Sequence, residues 1–548
     1  MPIRLAEPAR DAYAYPLLIR HLLRTPLRTT PQQEIVFRDS SRYTYEALDA
    51  RVSRLAAGLA RLGVQAGTTV AVMGWDCNRY LECFFAVPMM GAVLQTVNVR
   101  LSSAQIGYTL RHAAAEVILV HRDFLPLLAG LREQLPALRA VVMIEEPGQA
   151  GPAPEWVATE YETMLEEAGA GFDFRDFDEN ALATTFYTTG TTGDPKGVCF
   201  SHRQLVLHTL AVMGAVGTAP YGQSVRRDDV YMPMTPMFHV HAWGYPYVAT
   251  LMGMKQVYPG RYVPQELLAL RRREGVTFSH CVPSILQMLL AAAPPGGDDM
   301  RGWKMIIGGA ALSLGLAREA VARGMDVWAG YGMSETCPVV SLAQLAQPPG
   351  KLSADQELAQ RCRSGTPVAL VDVRLEGADG SAVPGDDQSV GEVVLRAPWL
   401  TPCYVGNPEA SAELWRGGYL HTQDIARMDA SGSLQICDRT KDVIKTGGEW
   451  LSSLQLESVI STHPGVSEVA VIAVHCPRWG ERPHVLVVAR PDYRASLSAE
   501  AIRQVIAAEA AAGRLPRYAV PDRVTFVEQL ERTSVGKINK RLLRDKYA

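Results

Sequence analysis

The sequence predicts an α/β protein. A large N-terminal domain of doubly wound β-α sheets with a small β-rich subdomain precedes a small α+β C-terminal domain. Three observations lead there. Short apolar, β-branched runs alternate with helical periodicity through residues 34–328; short strands and turn signals replace this pattern over 366–437; mixed strand and helix patterns return from about residue 439. A chain of 548 residues exceeds what one core usually organises, so more than one domain is expected, divided as 1–437 and 438–548.

Within residues 44–63, Leu48, Val52, Leu55, Leu59 and Leu62 recur at helical spacing, and 69–74 follows as a strand. Residues 117–120 and 141–144 read as buried strands around a leucine-rich helix over 125–135, and such repeated units imply a parallel sheet covered on both faces. The Gly-, Pro- and Glu-rich stretch 147–178 reads as an exposed connection. A second β-α series starts with 183–187 and continues through 229–234, 276–281, 304–307 and 325–328. Strands over 372–375, 391–396 and 432–437 build the β-rich part. Beyond it, a helix starts near Ser452, where Ser452 and Gln455 suit a capping box; strands 469–474 and 484–489 and a helix over 499–512 follow.

Composition excludes several classes. With 47% hydrophobic and 20% charged residues and a formal net charge of -3, there is no basic excess to suggest nucleic acid. The nine cysteines are scattered without a Cys-x-x-Cys pair, which favours a reducing, cytoplasmic setting. Glu7, Asp11 and Pro16 break the N-terminal stretch, so it does not read as a signal peptide. Pro88, Gly91, Gln95 and Asn98 interrupt the most apolar segment, 84–99, so no membrane span is expected.

Chemistry concentrates in the run Thr188-Thr189-Gly190-Thr191-Thr192-Gly193-Asp194-Pro195-Lys196-Gly197. Its glycines free backbone amides to turn toward an anion, its threonines donate to phosphate oxygens, and Lys196 adds a full charge. The lysine precedes its glycine, so this is not a Walker A loop. The flanking pattern suggests strand, loop, helix, with Ser201 as N-cap.

Other candidates follow strand ends, where ligands gather in open α/β sheets. These are Phe238-His239-Val240-His241-Ala242-Trp243, Gly309-Ala310, and Ala329-Gly330-Tyr331-Gly332-Met333-Ser334-Glu335-Thr336. Glu335 facing a polyphosphate needs a divalent cation between them, so Mg²⁺ with Thr188 as a second oxygen ligand is expected. On its own residues, His239 reads as part of an aromatic core patch. Residues 438–442 read as either a charged turn or a nucleotide contact, and Lys537 as one of several solvated C-terminal cations beside Lys540 and Arg541.

The phosphate run resembles that of the acyl-adenylate-forming, or AMP-binding, superfamily, and the later motifs follow in family order. His239 to Trp243 resembles the gate of bacterial fatty-acyl-CoA synthetases. The resemblance implies an ATP-dependent acid–thiol ligase that makes an acyl-AMP and then an acyl-CoA, with ATP, Mg²⁺ and coenzyme A as cofactor and cosubstrates. A medium- or long-chain fatty acid is the implied substrate. A short or functionalised acid such as 3-methylthiopropionate, or a carrier protein as acceptor, is the alternative.

By resemblance, Lys537, Glu335, Thr188 and His239 are catalytic, and His239, Val240 and Trp243 line the acyl pocket. The nucleotide falls to residues 188–193, Lys196, Gly309, Ala310, 329–332, 334–336, Asp424, Arg439, Lys441, Lys445, Trp450 and Lys537. Gly447 and Gly448 border the CoA channel. Lys441 is the hinge of a mobile C-terminal domain, and a homodimer is among the assemblies allowed. The family form has Gly where Gln423 stands, which leaves the local turn open.

Overall fold

A computed structural model describes residues 3–146, 148–149, 151–169, 171–188, 194–294, 297–348, 350–377, 379–446, 449–533 and 536–548. It is an α/β structure with two large sheets, as the alternating pattern requires. One has seven strands in the order Thr159–Glu160, Ala140–Ile144, Val117–His121, Thr69–Met73, Val93–Thr96, Leu182–Thr188, Lys196–Ser201. The other has nine: Thr366–Pro367, Val339–Leu342, Asp326–Gly332, Lys304–Ile307, Phe278–Cys281, Val230–Met234, Lys255–Tyr258, Glu34–Phe37, Ser41–Thr44.

Local signals set the elements where they agree with packing. Thr44 caps the helix Tyr45–Arg61 by accepting from Ala47 N, and Leu48, Val52, Leu55 and Leu59 on its inner face are buried. Ser201 and Gln204 form a reciprocal capping box at the start of His202–Gly217.

Four expectations need correction. First, the phosphate run does not lead into a helix: Lys196–Ser201 returns as a strand antiparallel to Leu182–Thr188, and the helix begins only after it. Val198, Cys199 and Phe200 are buried strand formers whose ladder outweighs the expected strand–loop–helix turn. Second, Leu182–Thr188 does not open the second sheet. It pairs with Val93–Thr96 of the first, while Glu34–Phe37 crosses to Lys255–Tyr258 of the second. Periodicity identifies strands but carries no information about their neighbours.

Third, residues 147–178 are not all exposed connection, since the helix Tyr161–Glu167 buries Tyr161, Met164 and Leu165. Fourth, Ser452 does accept from Gln455 N, but its hydroxyl donates to Cys437 O, so only half of the capping box forms.

A four-stranded antiparallel sheet follows, in the order Asp372–Glu376, Gly391–Arg396, Leu420–Met428, Leu434–Arg439. The last sheet joins Glu449–Leu451, Ile444–Thr446, Gly480–Ala489 and Val466–Cys476, with Arg523–Phe526 parallel to Gly480–Ala489. The main apolar cluster runs from Ile19 to Leu434, and two separate clusters begin at Ile444 and Ala470. Among the described residues no helix is long and apolar enough to cross a membrane.

Candidate active site

The loops after Lys304–Ile307 and Val230–Met234, the end of Asp326–Gly332 and the chain's C-terminal segment meet at one place. Gly309 has φ 75°, and a Cβ there would stand 3.1 Å from Val282 Cγ1, 3.3 Å from Lys537 Cε and 3.5 Å from Trp243 Cζ2. A Cβ at Gly308 would stand 3.1 Å from Trp243 Cη2. The lysine stem and the indole therefore both rest on this glycine pair, which any side chain would push away. Ser284 Oγ donates to Gly536 O at 3.3 Å and holds the lysine segment down.

Charge around Lys537 is balanced by named partners. Asp424 accepts from Tyr331 Oη at 2.8 Å and from Arg439 Nε at 3.2 Å. Burial raises the Asp424 pKa against the opposing pull of Arg439, and the carboxylate in turn raises that of Arg439. Lys537 keeps some accessible surface, yet its ammonium lies deep enough that burial is the first cause lowering its pKa to about 8. Arg439 lowers it further, while Asp424 and Glu335 oppose.

Glu335 is buried in the short 3-10 turn Ser334–Thr336. Tyr404 Oη donates to its Oε1 at 2.7 Å, and Thr401 N donates to its carbonyl at 2.9 Å. Lys196 Nζ lies 4.8 Å from the centroid of the Tyr404 ring, and Thr188 Oγ1 approaches Lys196 O at 3.5 Å. Thr188, Lys196, Tyr404 and Glu335 thus form one continuous wall.

The segment carrying His239 is strained. Val240, His241, Ala242 and Trp243 have φ of 40°, 57°, 48° and 59°, and Gly244 follows at 75°. Each left-handed L-residue costs roughly 1–2 kcal/mol, so this turn depends on anchors. His241 Nε2 lies 2.8 Å from Thr184 Oγ1, which donates to Leu94 O at 2.9 Å, so the imidazole is the donor in that pair. The His241 ring packs edge-on against Phe84 and Phe186. Trp243 tilts over His280, with ring centroids 5.1 Å apart. Upstream, Asp76 Oδ1 accepts from Met237 N at 2.8 Å and Thr96 Oγ1 donates to Phe238 O at 2.9 Å. Burial, then Lys537 and Arg100, pushes His239 down to about 3, so it is neutral near pH 7.

Gln423, where a glycine was expected, takes φ 59° in Leu420–Met428. Its N–H donates to Glu392 Oε1 at 2.9 Å, and its carbonyl accepts from both Thr440 N and Thr440 Oγ1 at 3.0 Å. These three bonds hold the left-handed residue and present Asp424 next to it.

A model of the AMP-binding enzyme family matches residues 23–405, and one of the AMP-binding enzyme C-terminal domain matches 455–537. The chain belongs to the AMP-binding enzyme family. It is 40% identical over 509 residues to the long-chain-fatty-acid CoA ligase of Thermus thermophilus, covering 92% of this chain and 90% of the relative. It is 35% identical over 497 residues to the 3-methylmercaptopropionyl-CoA ligase of Ruegeria pomeroyi, covering 90% of each. A solved anthranilate CoA ligase in complex with anthranoyl-AMP shares its fold, with a TM-score of 0.83 at 23% identity over 97% of this chain and 98% of the other.

In this AMP-binding enzyme, the residues expected at the site divide into three groups. Lys537, His239, Trp243, Gly309, Tyr331, Asp424, Arg439, Glu335, Lys196 and Thr188 come together as described. Buried Ala329 and partly buried Gly330 and Gly332 form the strand end beneath them, with Ala310 exposed beside Gly309 and Thr336 buried after Glu335. Lys441, Lys445 and Trp450 stand exposed instead, the last two paired across a hairpin whose Lys445 N–H is held by Glu481 at 2.7 Å. Thr189, Gly190, Thr191, Thr192 and Gly193 of the phosphate run, and Gly447 and Gly448, lie outside the described residues. Sequence reasoning missed Tyr404, Thr184 and Asp76. Tyr404 and Asp76 sit in stretches with no motif and Thr184 within the strand before the phosphate run, and only the fold shows their contacts at the site.

Replacing Gln423 by Gly should leave stability unchanged or raise it by up to about 1 kcal/mol, because Gly meets the left-handed φ without a Cβ penalty. Gln423→Val, with a branched side chain at the same φ, should lose about 1–2 kcal/mol in chemical denaturation.

Proposed function

We propose that this protein is an ATP-dependent acyl-CoA synthetase acting on a medium- or long-chain fatty acid. The observation that carries the reading is the seating of Lys537 on Gly309, between Trp243 and the Asp424–Arg439–Glu335 group. A carboxylate attacking the α-phosphorus of ATP brings two anions together, and a cation between them lowers the barrier as charge develops. Lys537 supplies it as a compact point charge. The products are acyl-AMP and pyrophosphate, and the CoA thiol then displaces AMP from the mixed anhydride.

Each neighbour has a part in this. Asp424 accepts from ribose hydroxyls and Tyr331 presents a flat face to adenine. Thr188, Lys196 and residues 189–193 receive the phosphates. His239, neutral and beside Lys537, offers a hydrogen bond to the acid without competing for its charge. Trp243 and Val240 line the acyl path.

The Glu335 carboxylate and the Thr188 hydroxyl are the hard oxygen donors Mg²⁺ prefers, and a cation held chiefly by phosphates needs few protein ligands. When bound, Mg²⁺ neutralises phosphate charge. Tyr404, donating to Oε1, orients the carboxylate for that purpose.

Residues 438–548 are taken as a mobile unit that turns about Lys441 between the two half-reactions, withdrawing Lys537 and bringing Gly447 and Gly448 to the CoA channel. A reducing, cytoplasmic setting suits the nine cysteines, all of them unpaired thiols. The Ruegeria relative supports one second reading, a 3-methylthiopropionate ligase.

With acids of graded length, AMP release should depend on CoA and peak at medium or long chains; a peak at 3-methylthiopropionate would favour the second reading. Lys537→Ala should lower adenylation, read as pyrophosphate exchange, by about 100-fold or more while thioester formation from preformed acyl-AMP persists. Loss of both steps alike would refute the role given to the lysine.

Glu335→Gln keeps the side-chain shape and removes the charge. Its adenylation should need several-fold more Mg²⁺ for half-maximal rate. An unchanged Mg²⁺ titration would remove Glu335 from the metal site.

A further inference from the structure

Gly315 has no backbone reason to be glycine. It lies in the first turn of the helix Leu314–Ala322, after the N-cap Ser313, and its φ is not in the left-handed region. Alanine is the better helix former at such a position. The reason lies across the boundary between the two units. A Cβ on Gly315 would fall 2.1 Å from Ser461 O, 2.7 Å from Ser461 C and 3.1 Å from Ser461 Oγ. The nearest atoms are backbone, so no rotamer change relieves the overlap.

The contact is organised around that gap. Gly315 N donates to Ser461 Oγ at 3.3 Å. Ser461 closes the helix Ser453–Ile460, so the positive start of one helix meets the negative end of another. On either side, Gln287 Nε2 donates to Ser467 O at 2.6 Å, and Arg490 pairs with Glu319 of the same large-unit helix at 2.7 Å. That helix begins just past Gly308 and Gly309, the loop on which Lys537 rests, and Ser284 bonds the Lys537 segment at Gly536. Docking of the small unit and placement of the lysine thus belong to one surface.

We propose that Gly315 is a positioning residue for adenylation: its missing side chain lets the C-terminal unit seat closely enough to bring Lys537 onto Gly309. The proposal rests on the reading of Lys537 as the adenylation cation and of the small unit as mobile. It assigns specificity for one half-reaction to a residue that touches no substrate. A methyl group at position 315 blocks this arrangement alone. Thioester formation, which uses another arrangement, is left free.

The test compares Gly315→Ala with Ser461→Ala in the full chain, using pyrophosphate exchange for adenylation and preformed acyl-AMP plus CoA for thioester formation. Gly315→Ala should keep or raise the thermal midpoint, lower pyrophosphate exchange by about tenfold or more, and leave thioester formation within about twofold. Ser461→Ala removes only a hydroxyl and should stay within about threefold of the parent in both steps, because the obstructing atoms are backbone. Parent-like pyrophosphate exchange in Gly315→Ala overturns the proposal, and so does a parallel loss of both steps. Lys537→Ala, run alongside, separates the two levels: if it loses both steps alike, the reading of the lysine fails; if only adenylation falls there while Gly315→Ala is silent, the proposal alone fails.

Discussion

A single ammonium group in a confined place sets the terms for this site. Lys537 arrives from the far end of the chain and settles over a glycine pair, among a carboxylate, a guanidinium and a second carboxylate. Burial is the first cause lowering its pKa and Arg439 lowers it further, while Asp424 and Glu335 oppose them. The arrangement leaves a buried cation with two carboxylates and a guanidinium as its charged neighbours. Nothing local to residue 537 produces this state, because Glu335 comes from just past the end of Asp326–Gly332 and Asp424 and Arg439 from the four-stranded sheet.

Strain is distributed around the same place. The left-handed turn at 240–244 and the left-handed Gln423 are both held by hydrogen bonds to distant segments. Thr184 anchors the turn from the strand that enters the Thr/Gly-rich run, so the 240–244 turn and that strand share one hydroxyl. Such over-determined geometry is expected where a site must be preorganised before its ligand arrives.

Much of this was legible in the sequence, and the limits have physical causes. Strand ends carrying Glu335, His239 and Gly309 could be read because strands and their termini leave local signatures. The pairing of Leu182–Thr188 with Val93–Thr96 could not, since β partners are chosen by three-dimensional packing. The return of Lys196–Ser201 as a strand was hidden by a loop whose composition also suits a helix start. Lys537 read from its own neighbourhood is one basic residue among several, and only family resemblance singled it out. Tyr404, which orients Glu335, had no motif to reveal it, and Gly315 is an ordinary helix glycine until Ser461 is placed against it.

In the proposed reaction Lys537, its pKa lowered to about 8, carries adenylation in its charged form. Below that pH Lys537 is protonated, and as pH rises through it the charge is lost. The most direct measurement is the pH dependence of kcat/KM for pyrophosphate exchange, which reports groups of the free enzyme. The parent should show a limb that falls above about pH 8 and that is absent in Lys537→Arg, whose guanidinium stays charged. A profile flat to about pH 10, or the same falling limb in Lys537→Arg, would contradict it.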